Sequence, residues 1–284
     1  MSIAYLRLAT ATFLCSLVLS ACTSLQPSVP LSGHDLAQGL SVSRSLPEAL
    51  PDKAKPVPHT QFVLLPEDSA VGLLMPVPFV AEAITSAVNR YAAEALEERL
   101  AAVDPYRITL QTLQDRPYWR AQGGYLSLQP FVTLQECSDG QYRLTLIYHL
   151  SGPGWVGRYL YHVPQPYAPE QVKAPSPGVL QAVRADLLTG AATLTQLIER
   201  GSRGELRSRG QDVQIGSLHL VGGKPSGLVP ASLVYVHHAD LIEENGQQVL
   251  VRIAGDMTQA TSAGGLFFGV HVLPKDQLHT FKKL

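Results

Sequence analysis

The chain has 284 residues, 45% of them hydrophobic and 16% charged, with 22 Lys+Arg against 23 Asp+Glu and a net charge of −1. That apolar share excludes a disordered chain. The balanced charge argues against a nucleic-acid binder, which carries a basic excess, and the length allows one or two domains with a real core.

The first element is a leader. Arg7 is the single charge among residues 1–8, and Leu8–Leu19 is an apolar run containing Phe13, Leu14, Leu17 and Val18. The run falls short of the ~20 residues a transmembrane helix needs, and its flanks match a secretory signal peptide over residues 1–21. The four residues Leu19-Ser20-Ala21-Cys22 then resemble a bacterial lipobox. The resemblance covers these residues and the run before them. It identifies the chain as a bacterial lipoprotein and implies cleavage before Cys22, diacylglycerol on its sulfur, and acylation of the new terminus by a chain such as palmitate. Thr23 stands where an Asp often retains such proteins at the inner membrane, so the resemblance implies the outer membrane. With Cys15 removed and Cys22 lipidated, Cys137 remains alone, without an internal disulfide partner; it reads as buried or half-buried, the alternative being a dimer-forming thiol.

Residues 22–60 are rich in Pro and Ser and read as a flexible tether with a coil dimension of about 35 Å. Leu36, Leu40, Val42 and Leu46 also allow part of it to pack along the domain as an irregular arm. Phe62–Leu65 reads as a strand, Val71–Met75 as a second, and Phe79–Val103 as a helix that Asp104-Pro105 stops. Alternation predicts strands at Tyr106–Leu113, Tyr125–Leu134, Tyr142–Leu150 and Val156–Val163. The turn signal Ser138-Asp139-Gly140-Gln141 joins two of them as a hairpin. The Pro-rich stretch 164–178 reads as a loop. The stripe Val179, Val183, Leu187, Ala191, Leu194 and Ile198 then predicts a helix over about 178–200. The remainder reads as strands at Val213–Val221, Ala231–Ile242, Gln248–Ala254 and Leu266–Leu273. A hairpin is expected at Glu244-Asn245-Gly246, and a short terminal helix over Asp276–Lys283.

This order predicts an α+β fold, with antiparallel sheet packed against two main helices. An α+β domain is expected over 61–202, and a β-rich part over 203–284 is either continuous with it or separate. Up to about residue 200 the element order resembles small periplasmic domains of envelope lipoproteins, among them the curli secretion lipoprotein.

The chemistry is sparse. His237 and His238 are adjacent in a strand and so face opposite sides. His238 and Asp240 share a face, and His271 lies on a neighbouring strand pattern. His238, Asp240 and His271 are therefore the candidate cluster, although their spacing fits no standard metal motif, and no metal or cofactor is expected. A G-x-S-x-G elbow is lacking. Gly222-Gly223-Lys224-Pro225-Ser226 departs from a phosphate loop at its Pro and at its missing first Gly. Gly264-Gly265 reads as a turn. Arg200, Arg203, Arg207 and Arg209 form one basic cluster, which suits anionic lipid, lipopolysaccharide phosphate or an acidic partner, but which reads first as a solvated linker after a helix. Trp119 and Trp155 mark either a contact surface or the edge of the core.

Taken together, the sequence favours an outer-membrane lipoprotein on the periplasmic side. It would act without catalysis as a binding or assembly accessory factor of an envelope complex, with the membrane and an envelope protein as partners. Two alternatives are an envelope hydrolase using the His/Asp face and a periplasmic carrier of an apolar ligand.

Overall fold

The computed structural model of the chain describes residues 30–48, 50, 54–65, 90–137, 139–220, 236–254 and 266–284. The expected signal peptide and lipobox, the Val71–Met75 strand, residues 79–89 of the first helix, and both Gly-rich turns at 222–226 and 264–265 lie outside them.

The described residues form one eleven-stranded mixed sheet with helices on one face. In chain order come helix α1 (Gly33–Ala37) and strands β1 (Leu40–Val42), β2 (Lys55–Pro56) and β3 (Phe62–Leu65). Helices α2 (Glu97–Leu100) and α3 (Pro105–Leu113) follow, then strands β4 (Leu126–Glu136), β5 (Tyr142–Gly152) and β6 (Trp155–His162). After helices α4 (Pro169–Lys173) and α5 (Pro177–Ser202) come β7 (Asp212–Ser217), β8 (Val236–Glu244), β9 (Gln248–Ile253), β10 (Gly269–Pro274) and β11 (Leu278–Lys283). The spatial order is β11-β7-β8-β9-β10-β6-β5-β4-β3-β2, with β1 on β4.

The fold is α+β, but the sheet is not purely antiparallel: β1 and β3 run parallel to β4, and β10 runs parallel to β6. The chain between β3 and β4 makes a long crossover that carries α2 and α3, as a parallel pair requires. Strands β7, β8 and β9 are laid down before β10 returns to β6. That pairing makes the parts before and after residue 202 one sheet.

Three expectations fail for physical reasons. Residues 105–113 form helix α3 rather than a strand. Asp104 is its N-cap, accepting from the Arg107 N–H at 3.1 Å, and Pro105 occupies its first turn. The pair read as a stop signal is a start signal. The buried set Pro105, Ile108, Thr109 and Leu113 has helical spacing. The C-terminal segment is strand β11, not a helix. Its Thr280 and Phe281 favour the pleated state, and it pairs antiparallel with β7. The tether expected over 22–60 does not extend that far. Leu31, Leu36, Leu40 and Val57 are at most 5% exposed, β1 pairs with β4, and β2 pairs with β3. The alternative of a packed arm describes these residues.

The other elements fall close to their expected positions, including β4–β6, both hairpins and α5. However, Leu218–Leu220 form a 3-10 turn in place of the end of the expected Val213–Val221 strand, and residues 231–235 of the expected Ala231–Ile242 strand lie outside the described residues. Residues 90–94 are helical, as is α2, and the 164–178 loop contains α4. Helix α5 packs closely on the sheet through glycine. A Cβ on Gly190 would stand 2.6 Å from the Tyr161 ring, and one on Gly201 2.6 Å from the Tyr159 hydroxyl. The core on the helix face contains Leu128, Leu146, Tyr148, Leu187, Leu194 and Ile198. The second face is covered as well. Phe131, Ile147, Leu160, Leu266 and Phe267 cluster over its centre, and Val213, Ile215, Leu241, Val251 and Leu273 over its C-terminal half. A sheet buried on both faces forces the polar residues of the second face to find partners.

Candidate functional site

The sequence-derived cluster does not assemble. His271 on β10 faces Val251 on β9, which faces Leu241 on β8. Asp240 instead faces Arg252, which faces Val270. His238 and Asp240 thus project from the opposite face to His271 and two strands away. His238 is exposed, whereas His271 is fully buried.

The partners of His271 lie elsewhere. Its Nδ1 stands 3.0 Å from His162 Nε2 on β6, and His162 Nδ1 stands 3.0 Å from Thr145 Oγ1 on β5. In this hydrogen bond one ring nitrogen donates and the other accepts, the roles being set by the tautomers of the two rings. The chain Thr145–His162–His271 crosses the parallel junction of β6 with β10. His219, from the 3-10 turn Leu218–Leu220, meets His162 edge-on with ring centroids 5.1 Å apart. It is 1% exposed, and among the described residues neither of its ring nitrogens has a hydrogen-bond partner.

Cations border these rings. Arg143, buried on β5, donates to both carboxylate oxygens of Asp139 at 3.0 and 2.7 Å. Arg158 is 4% exposed. It donates from Nε to His149 Nδ1 and from Nη1 to the Leu266 carbonyl, both at 3.0 Å, and lies over the Phe268 ring. Burial, aided by Arg158, lowers the His149 pKa to about 3. Burial, aided by Arg143, lowers that of His219 to about 3. Burial and His219 hold His162 well below the ordinary histidine range. Burial brings Arg158 itself down to about 9, which leaves it a cation at neutral pH. Cys137 directly follows β4 and is 1% exposed; burial pushes its thiol up to about 11. It is thus a poor nucleophile. Among the described residues no group of three His, Cys, Asp or Glu side chains is placed to hold a metal ion.

An accessible site lies on the other face. A half-open cleft of about 310 Å³ separates the C-terminal part of α5 from the β8–β9 hairpin. Leu197, Leu250 and Val272 supply apolar lining, and Arg200, Glu243 and Gln248 supply polar lining. Arg200 pairs through both terminal nitrogens with Glu243, and its Nε lies 3.6 Å from Glu205. Glu244 is clamped by Lys275 at 2.6 Å and Lys283 at 2.8 Å, whose hydrogen bonds hold its pKa at about 2. Asn245 Oδ1 accepts the Gln247 and Gln248 N–H groups at 2.9 and 2.7 Å, which fixes the hairpin tip. The charges are therefore held in place before any partner arrives, which lowers the ordering cost of association. A second, smaller cavity under the end of α5 has a volume of about 10 Å³, about one water molecule.

Sequence reasoning missed the cleft and the His162–His271 bond. Each joins elements far apart in the chain, and neither leaves a local spacing. One signal was available: Arg143, Thr145 and His149 share a strand face. Comparison with protein-family models, with curated proteins and with solved structures found no match to this chain.

Proposed function

We propose that the chain is a bacterial outer-membrane lipoprotein facing the periplasm, and that it serves an envelope complex as a non-catalytic binding or assembly accessory factor. The anchor rests on Leu19-Ser20-Ala21-Cys22 and the apolar run before it. The observation that carries the binding role is the cleft between α5 and the β8–β9 hairpin, whose volume reaches the range of ligand sites. Its mixture of fixed ion pairs and apolar floor suits a protein segment with both charged and apolar side chains. The buried histidines support the same reading. His162, His219 and His271 are 0–1% exposed, and a catalytic group must touch its substrate. A lipid anchor raises the effective concentration of the cleft near membrane partners.

Metabolic labelling with palmitate tests the anchor. The wild-type chain is expected to incorporate label and to remain with the outer-membrane fraction, its N-terminal peptide carrying diacylglycerol on Cys22. Cys22→Ser is expected to lose both the label and the membrane association. An unmodified Cys22, or a Cys22→Ser protein that fractionates as the wild type does, would overturn the reading.

A further inference from the structure

We infer that the turn Arg203–Arg209 is a membrane-docking surface, which rests on the anionic phospholipid headgroups of the bilayer that holds the anchor. The inference depends on the proposed lipidation of Cys22 and adds an orientation to it.

The first argument is where the chain enters the domain. Pro30 lines the small cavity together with Trp155, Gly201, Leu206 and Arg252. Leu31 is 3% exposed, and a Cβ on Gly33 would stand 2.7 Å from the Ser202 carbonyl oxygen. The arm is thus fixed against the C-terminal end of α5 and against the arginine turn that follows it. Cys22 and Pro30 are 30 − 22 = 8 residues apart, a span of at most about 28 Å. The anchored segment is thus short, and it joins the domain toward the end of the sheet where β4 and β6 begin, beside the arginine turn, whereas α4 and the β4–β5 turn lie toward the opposite end.

The second argument is charge. Residues 203–209 hold three arginines and one glutamate, Glu205, which Arg203 and Arg200 share. Arg207 and Arg209 are exposed on either side of exposed Ser208. The turn is pinned from behind. Leu206 is 3% exposed, its carbonyl accepts from Arg252 Nη2 at 2.8 Å, and the Arg209 N–H donates to the Leu241 carbonyl at 2.9 Å. The backbone of the turn is thereby fixed with Arg203, Arg207 and Arg209 exposed on it, Arg209 also bordering the cleft between α5 and the β8–β9 hairpin. Guanidinium forks match phosphate oxygens, and each arginine near an anionic surface strengthens association about fivefold. The carboxylates beside the turn are already engaged: Glu205 by Arg203 and Arg200, Glu243 by Arg200, and Glu199 by Arg116.

The test uses the full anchored chain in vesicles of phosphatidylcholine, with or without phosphatidylglycerol. A spin label is attached through Ser208→Cys or, at the far end, Glu170→Cys; buried Cys137 does not compete for the label. With phosphatidylglycerol, the label at 208 is expected to become several-fold less accessible to an aqueous nickel complex, while the label at 170 stays accessible. Salt at about 1 M, where the screening length is ~3 Å, is expected to reverse the protection, as is the R203Q/R207Q/R209Q variant. Equal accessibility at both positions on phosphatidylglycerol vesicles would overturn the inference. So would protection that appears only when another protein is present. The mass of the N-terminal peptide from the same samples separates the two failures. An unlipidated Cys22 overturns the anchor and the docking together, whereas lipid on Cys22 with equal accessibility overturns the docking alone.

Discussion

Acidification from about pH 8 to about pH 5 is expected to remove on the order of 4 kcal/mol of folding stability through His149 and His219 alone. Both titrate near 3 in the folded chain, against 6.5 for an unperturbed histidine. The unfolded chain therefore takes up protons first. This stability is fully present above about pH 6.5 and is lost as the pH falls toward 3, at about 2 kcal/mol per residue by pH 5. His162 adds to the loss with the same sign. The cause is geometric. His149 accepts the Arg158 hydrogen bond through its Nδ1, so protonation removes an acceptor and sets two cations together. His219 and His162 face each other beside Arg143, whose charge already engages the nearby carboxylate of Asp139. A loss of this size is a large share of a domain's total of roughly 5–15 kcal/mol. Urea unfolding followed against pH checks it. His219→Phe keeps a flat ring and removes one titration. It is expected to change little at pH 8 and to recover about 2 kcal/mol at pH 5. A wild-type stability that is flat between these pH values would contradict the assignment.

The second large effect is expected at Gly269, the first residue of β10. Its φ of 119° lies where side chains are rarely tolerated, and an added Cβ would fall inside contact distance of the Arg158 carbonyl oxygen, with the Arg158 carbonyl carbon at 2.9 Å. Both obstacles are backbone, so no rotamer change relieves them. Gly269→Ala is expected to cost about 3–5 kcal/mol, the sum of a forbidden dihedral and an overpacked contact. The position matters beyond its own strain. Among the described residues, the pairing of β6 with β10 is the single strand contact joining the first half of the sheet to the second. Weakening it is expected to broaden the urea transition as β7–β11 uncouple from β1–β6. Gly246→Ala, where nothing lies within 4 Å, serves as the control and is expected to cost under about 1 kcal/mol. A Gly269→Ala protein as stable as this control would contradict the close approach.

Local patterns in the sequence were good guides where burial followed them. Tyr142, Leu144, Leu146, Tyr148 and Leu150 alternate because one face of β5 meets α5 and α3, and the α5 stripe from Val183 to Ile198 meets β6 in turn. Residues 105–113 misled because Tyr106, Ile108 and Leu110 also alternate. The helical set was decided by what α3 packs on, namely α5, where Thr112 and Thr195 hydroxyls meet at 2.9 Å. Only tertiary structure supplies that information. The arm before residue 60 looked like tether because its apolar residues lack a period; β1 needs just three residues on β4 to hold it. His271 was legible as a strand residue, but its partner is 109 positions away on β6. A parallel pairing across that separation follows from the return of the chain after β9, which no residue spacing encodes.

Partner binding is most directly tested inside the cell. A photoreactive residue in place of Gln248, on the cleft wall, would be crosslinked in cells carrying the wild-type anchor or Cys22→Ser, and the products identified by mass spectrometry. The expected result is one defined envelope protein, captured from the cleft and lost when the anchor is removed. Capture of abundant envelope proteins alone, unchanged by Cys22→Ser, would contradict the assignment of the chain as an anchored accessory factor.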